Sequence, residues 1–318
     1  MKQLTIPEVA RLLLEGDNYL ILTHRRPDGD TIGCAAALCG GLRAMGKRAA
    51  ILDNPQFTKK YAPFLEGLTV AQPPVNATVI ATDVASANIL SFSAKDYADR
   101  VDLRIDHHGT DLIFGKQGYV DPSAAACGEI ILDLLKEMKV PISKSMAEAL
   151  YCAISTDTGC FRYSNVTSAT LRAAADCKDY GADTFTINRV MFGTKGLNRL
   201  KLEAYLTEST RFYAGGLVAV SAIPDTVKEN LRLTEDDIDD ISGFGRDIAG
   251  VEIAVMLREV QEGSKISLRT SPNYDAAAIC KTLGGGGHKA AAGATVKANL
   301  EDTAAAILRA IRESGVDC

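Results

Sequence analysis

Residues 21–33 read ILTHRRPDGDTIG, and their order decides the fold. Tyr19–Thr23 is a short aromatic and β-branched run suited to a buried strand, and Pro27 and Gly29 force an irregular loop after it. His24, Asp28 and Asp30 therefore stand at the strand's C-terminal end. Beyond them DTIGCAAALCGGLRAMG predicts a helix rich in small residues that stops at Gly46. The unit is strand, acidic loop, helix, and open α/β sheets bind their ligands at such loops.

The same strand-to-acid arrangement recurs. ATVIATDVAS runs an apolar strand into Asp83, and VDLRIDHHGT runs another into Asp106, His107 and His108. A fourth cluster comes from a helix, because SKSMAEALYCAISTDTGCFRYSN carries a long small-and-apolar helical pattern ending at Asp157. With the strands as parallel neighbours, all four clusters converge on one crevice. The chain has only four histidines, His24, His107, His108 and His288, and each lies in a motif-like stretch that also carries Asp or Gly. Carboxylates gathered at the ends of buried elements repel one another, and a metal relieves that repulsion. Asp28, Asp30, Asp83 and Asp157 bring four negative charges, which two divalent cations balance. An oxygen-rich set with some imidazole suits Mn²⁺ or Mg²⁺, with Co²⁺ or Zn²⁺ as substitutes. Two such ions side by side are the usual clamp for hydrolysing phosphate esters.

Composition fits that chemistry. The 318 residues are 47% hydrophobic and 24% charged, enough for about two domains with their own cores. No membrane span or secretory segment is expected: Glu8, Arg11 and Glu15 interrupt the leucines of Met1–Gly16, which reads as an amphipathic helix, and the expected compartment is the cytoplasm. Eight cysteines, at 34, 39, 127, 152, 160, 177, 280 and 318, form no CxxC pair, so they read as mostly buried thiols and not as a zinc knuckle or disulfide framework. The net charge of −5 argues against long duplex nucleic acid, whose binding rests on Lys and Arg, but leaves room for a small anionic substrate.

THRRPDGDTIG, ATD, DHHGT and STDTG resemble, in order, the four motifs of the DHH phosphoesterase superfamily, and KISLRT and GGGGHKAAAGA resemble the DHH-associated C-terminal domain. Length and layout look like the branch of bifunctional oligoribonucleases and 3′-phosphoadenosine 5′-phosphate phosphatases, the nano-RNases. The resemblance implies a parallel-sheet α/β N-terminal domain with helices on both faces, and a smaller α/β domain across a cleft. Residues 1–187 would form the catalytic metal-binding domain, 188–208 the linker and 209–318 the substrate-binding domain. It implies further that His24 and Asp28 bind one metal, Asp30 the other, that Asp83 bridges them and that His107 and Asp157 complete the second site. Asp106 would orient an imidazole from behind the ligands. His108 would face the substrate or donate a proton. Arg25 and Arg26 stand where many relatives are less basic, as solvated loop charge or as attraction for an anion.

In the second half, NRVMFGTKGLNRLKLEAYL reads as the connection, and GLVAVSAI, VEIAVMLREV and SKISLRT as three strands. SPNYDAAAICKTLGG gives a helix that ends at glycines, and TEDDIDDISG a solvated helix start. Four consecutive glycines cost backbone entropy and pack nothing, so GGGGH implies a backbone approached closely by something such as a phosphate. Gly285, Gly286, Gly287 and His288, with Arg269, are thus the expected substrate-binding residues. The expected substrates are short single-stranded oligonucleotides, cleaved to mononucleotides, and 3′-phosphoadenosine 5′-phosphate, cleaved to AMP. Cyclic di-AMP or its linear product is the alternative within the superfamily. Family II pyrophosphatases lack the GGGGH ending, and a non-catalytic sensor would be expected to have lost a ligand. A homodimer stays open.

Overall fold

The computed structural model describes residues 1–109, 114–238 and 240–316; Thr110 of the DHHGT stretch, Asp239 of the acidic stretch and Cys318 lie outside them. The chain divides into two units, Met1–Thr194 and Lys195–Cys318.

The first unit is built on seven parallel strands, β1 (Lys2–Gln3), β2 (Tyr19–Leu22), β3 (Ala49–Leu52), β4 (Thr69–Val70), β5 (Thr78–Thr82), β6 (Leu103–Asp106) and β7 (Gln117–Val120). Their order across the sheet is β1-β7-β6-β5-β2-β3-β4. The direction of winding reverses between β2 and β5, which places the crevice for a ligand at the C-terminal ends of those two strands. Tyr19, Ile21, Ile51, Ile80, Leu103 and Ile105 face a core shared with the helices Ile6–Glu15, Gly29–Ala44, Cys127–Glu137 and Lys144–Asp157. Leu20, Leu22, Leu52, Val79 and Ala81 face the other way, under the 3₁₀ segments Ala87–Ile89 and Phe92–Arg100 instead of long helices.

The glycines of the opening motif serve packing. A Cβ on Gly33 would lie 2.2 Å from the Ala149 carbonyl oxygen, and one on Gly29 would lie 2.3 Å from Thr156 Oγ1. The helices Gly29–Ala44 and Lys144–Asp157 can therefore cross almost backbone to backbone, and that crossing carries Asp157 to the end of the sheet where Asp30 stands.

The second unit has a mixed sheet, β8 (Arg211–Tyr213), β9 (Val218–Ile223), β10 (Ile253–Val260), β11 (Gly263–Thr270), β12 (Gly286–His288) and β13 (Ala291–Val296), in the order β12-β13-β11-β10-β9-β8. One face packs on the helices Ala276–Lys281 and Leu300–Glu313. The stretch 188–208, expected as a connection, is largely the helix Leu197–Ser209. Leu202 and Leu206 are fully buried with Ile223, Ile238 and Met256, so this helix belongs to the core of the second unit, and the division, after Thr194, falls inside the expected connection. Among the described residues, no helix is long and apolar enough to cross a membrane.

Candidate metal centre

The acidic residues are delivered by several elements, Asp28 and Asp30 by one helix start, and the backbone explains how. Asp28 caps the Gly29–Ala44 helix, its Oδ1 accepting from the amides of Asp30 and Thr31, both at 3.1 Å. Asp30, in the first turn, is fully buried: Oδ2 accepts from the Cys127 amide at 2.7 Å, and Oδ1 from the Gly128 amide at 2.9 Å and the Cys34 thiol at 3.2 Å. Asp83 leaves β5 with φ +54°, a left-handed conformation that aspartate tolerates better than most residues. Its amide donates to Ile105 O at 2.9 Å, which turns the side chain back over the strand ends.

The two rings next to Asp106 are held differently. His107 Nδ1 lies 3.2 Å from Ala124 O, so a proton there leaves the Nε2 lone pair facing inward. Nε2 is 3.3 Å from Asp157 Oδ2, 3.6 Å from Asp83 Oδ1 and 3.8 Å from Asp30 Oδ2. His108 Nδ1 lies 2.8 Å from Asp106 Oδ1, which also accepts from the amides of His107 and His108 at 2.8 and 3.1 Å. Arg104, itself buried, donates from Nε to the second oxygen of Asp106 at 3.0 Å and again from its terminal nitrogen. His24 resembles His107: Nδ1 is 2.9 Å from Arg25 O, and Nε2 faces Asp28 Oδ1 at 3.6 Å and Asp83 Oδ2 at 3.8 Å.

Electrostatics mark this crevice as unfinished. Burial, then the charge of Asp28, raises Asp30 to about 7, and burial, then the charge of Asp30, raises Asp157 to about 7. Burial together with Asp30 and Asp28 holds Asp83 well above the carboxylate range. Burial opposes the charge of Asp28 as well, but the hydrogen bond and charge of His24 outweigh it and bring this half-exposed group down to about 2. Burial disfavours the His108 cation, yet its bond to Asp106 prevails and its pKa rises.

Asp83 Oδ1 and His107 Nε2 are buried without a hydrogen-bond partner. At 3.6 Å they do not bond each other, and both offer lone pairs. A cation satisfies both atoms, and the donor set fits one. Three groups of ligand atoms, each within 4.8 Å, can hold a metal: His24, Asp28 and Asp83; Asp30, His107 and Asp157; and Asp83, His107 and His108. His108 enters the third through Nδ1, the atom already taken by Asp106.

In the second unit Arg269, Ala291 and His288 share one register across β11, β13 and β12. Their side chains lie on one face, with the small Ala291 between them, and two strand spacings separate Arg269 from His288, about 9–10 Å. Arg269 donates to Ser242 Oγ at 3.0 Å and to Leu268 O at 3.1 Å. The glycines divide by cause. A Cβ on Gly285 would be 2.2 Å from Gly293 O and one on Gly287 2.5 Å from Ala291 O, so both are needed to lay β12 against β13. Gly286 has nothing within 4 Å of such a Cβ and is exposed, so the chain itself does not require a glycine there.

Sequence reasoning missed Arg104, Cys34 and the amides of Cys127 and Gly128. Arg104 had a signal: two residues before Asp106 on a strand, it shares that residue's face. The amides had none, because they come from a helix start 97 and 98 residues away from Asp30.

The DHH family, N-terminal domain, matches residues 18–154, and the DHHA1 domain matches residues 216–314. The bifunctional oligoribonuclease and PAP phosphatase NrnA of Thermus thermophilus is 34% identical over 98% of this chain and 94% of its own. The Bacillus subtilis protein of the same description is 25% identical over 91% of this chain and 92% of its own. The crystal structure of an exopolyphosphatase-related protein from Bacteroides fragilis has a TM-score of 0.86 at 22% identity, covering 97% of this chain and 96% of that one.

Proposed function

The chain belongs to the DHH family, and from that premise we propose that it is a metal-dependent phosphoesterase that hydrolyses short oligonucleotides to mononucleotides and 3′-phosphoadenosine 5′-phosphate to AMP. The observation that carries the chemistry is the pair of orphaned lone pairs, Asp83 Oδ1 and His107 Nε2, amid carboxylates that burial has pushed toward neutrality. The substrate class is supported by the relatives of the same length that are described by these two activities.

His24, Asp28 and Asp83 would hold one divalent cation, and Asp30, His107 and Asp157 the other, with Asp83 shared because it faces both imidazoles. Oxygen donors with two imidazoles favour Mn²⁺, with Mg²⁺ or Co²⁺ able to replace it. Bound there, the cations would supply Lewis-acid polarisation of the phosphate and a water nucleophile at neutral pH. The remaining residues do the positioning and the proton work. Arg104 and two amides fix Asp106, Asp106 fixes His108 through Nδ1, and His108 Nε2 is left to donate to an oxygen of the reacting phosphate. Arg269, His288 and the exposed backbone at Gly286 bind the nucleotide portion, beside Gly285 and Gly287, which set the hairpin.

A panel of dinucleotides to decamers, cyclic di-AMP, 3′-phosphoadenosine 5′-phosphate and pyrophosphate, assayed with Mn²⁺ and with Mg²⁺, tests the proposal. Turnover concentrated on the shortest oligonucleotides and on 3′-phosphoadenosine 5′-phosphate, and abolished by EDTA, is expected. Turnover of cyclic di-AMP alone would replace the substrate assignment, and no metal-dependent turnover of any member would overturn it.

A further inference from the structure

Directly after Asp157 the backbone takes a turn that L-residues avoid. Gly159, Cys160 and Phe161 have φ of +55°, +58° and +63°, three successive left-handed residues of which only the first is glycine. Such strain persists where surrounding contacts over-determine it, and the contacts here are plain. The Thr158 carbonyl accepts from the amides of Arg162 and Tyr163 at 3.0 and 3.1 Å, and Thr158 Oγ1 accepts from the Phe161 amide at 3.2 Å. Asn165 Nδ2 ties the return of the chain to Ala125 O at 3.0 Å and to Asp157 O at 3.2 Å. The Tyr163 ring covers Gly159 so closely that a Cβ there would lie 2.3 Å from it.

The turn fixes one side chain. Arg162 Nε donates to Gly159 O at 2.7 Å, which leaves its two terminal nitrogens to point elsewhere. Gly159 is two residues from Asp157, so their Cα atoms are at most about 7 Å apart. Asp157 Oδ2 in turn is 3.3 Å from His107 Nε2. Among the described residues no carboxylate pairs with Arg162, and its side chain is exposed. A guanidinium pinned by one nitrogen and presented by a strained turn beside a metal-binding crevice matches a phosphate in geometry and charge.

We propose that Arg162 is a substrate-binding residue whose terminal nitrogens hold a phosphate other than the one being hydrolysed. The proposal rests on the phosphoesterase reading above, and both proposed substrates carry such a group: the 5′-phosphate of 3′-phosphoadenosine 5′-phosphate, or a phosphate next along an oligonucleotide. The reacting phosphate would have its charge met by the divalent cations held around Asp83, which leaves the second phosphate to cations of the chain itself.

The test compares an RNA dinucleotide bearing a 5′-phosphate with the same dinucleotide lacking it, on the Mn²⁺-loaded full chain. Arg162→Ala is expected to raise KM for the phosphorylated dinucleotide roughly 10–150-fold, the loss of one charge-assisted contact, and to erase the wild-type preference for it. The dependence of log KM on log salt concentration should become shallower by about 0.7, one phosphate contact on a single strand. Arg162→Lys, which keeps the charge but not the pinned fork, should keep the salt slope and recover part of the KM. An unchanged KM and salt slope in Arg162→Ala would overturn the proposal, as would an equal fall in kcat on both dinucleotides, which would place the guanidinium on the reacting phosphate. Failure of the wild type to cleave either dinucleotide would instead strike the phosphoesterase reading.

Discussion

Two histidine motifs in this protein, DHH at residues 106–108 and GGGGH at 284–288, sit in opposite environments, and the contrast bears on the separate roles proposed for them. His107 and His108 lie among acidic groups at the end of a parallel sheet, where Asp106 is fully buried and Asp83 2% exposed. His288 lies on an exposed edge strand of the second unit, opposite Ala291. Around the first motif low dielectric amplifies every charge, so acceptors that face one another need a cation, and the pKa values of Asp30, Asp83 and Asp157 rise. In the second, water screens charge and the useful feature is access: a small-residue row with Arg269 and His288 at its ends and one glycine whose missing side chain nothing in the chain demands. Under the proposed function, reactivity would be built by burial and recognition by an open edge.

The sharpest way to break the contrast is Asp83→Ala. As the carboxylate facing both His24 and His107, Asp83 has its loss felt in both ligand groups, and turnover should fall further than for any other single ligand change. Wild-type-like turnover with full metal content by elemental analysis would remove Asp83 from the shared position.

Next comes His108→Ala. Because Nδ1 is engaged by Asp106 and Nε2 is left for the substrate, turnover should fall roughly 10²–10⁴-fold while metal content stays intact. Loss of an ion in the same preparation would make the ring a ligand.

Smaller effects belong to the second unit. Arg269→Ala and His288→Ala should each weaken cleavage of a dinucleotide or of 3′-phosphoadenosine 5′-phosphate by about 10–150-fold, with a lesser loss on a small chromogenic phosphodiester. Equal losses on both substrates would erase the distinction between the two motifs.

The smallest effect is thermal. Asp30 and Asp157, raised to about 7 by burial and by the neighbouring carboxylates, bind protons in the folded chain that the unfolded chain releases near pH 4. Their contribution to the stability of the metal-free protein is therefore fully present below pH 4 and lost as the pH rises through 7. Mn²⁺ must displace those protons, so the rise in Tm on adding it should grow between pH 6 and pH 8, by about 2–4 °C for each kcal/mol gained. Histidine and glycine variants of the GGGGH segment should leave that growth unchanged; a Tm increment independent of pH would contradict the raised carboxylates.

The parallel sheet was legible in the sequence because a fully buried strand reads as an apolar run and its acidic ending stands out, as at Ile80–Asp83 and Leu103–Asp106. So were the residues that converge, since period and punctuation put each at the end of an element. The helix Leu197–Ser209 was misread as a connection because its locally basic composition hides the two leucines, Leu202 and Leu206, that anchor it. The glycine run was read as one feature, whereas the register of β12 on β13 gives Gly285 and Gly287 a packing reason and Gly286 none.

By itself the sequence determined which charged side chains stand at the ends of the buried elements, because charge at the end of an apolar run is a local pattern. Only the tertiary structure decided what those side chains are worth. The Gly29 and Gly33 crossing that brings Asp157 to Asp30, the distant amides on Asp30, the arginine behind Asp106 and the left-handed turn that pins Arg162 all depend on contacts or backbone conformation that spacing does not encode. Electrostatic energy varies with distance and burial, and both are set by packing between segments that lie far apart in the chain.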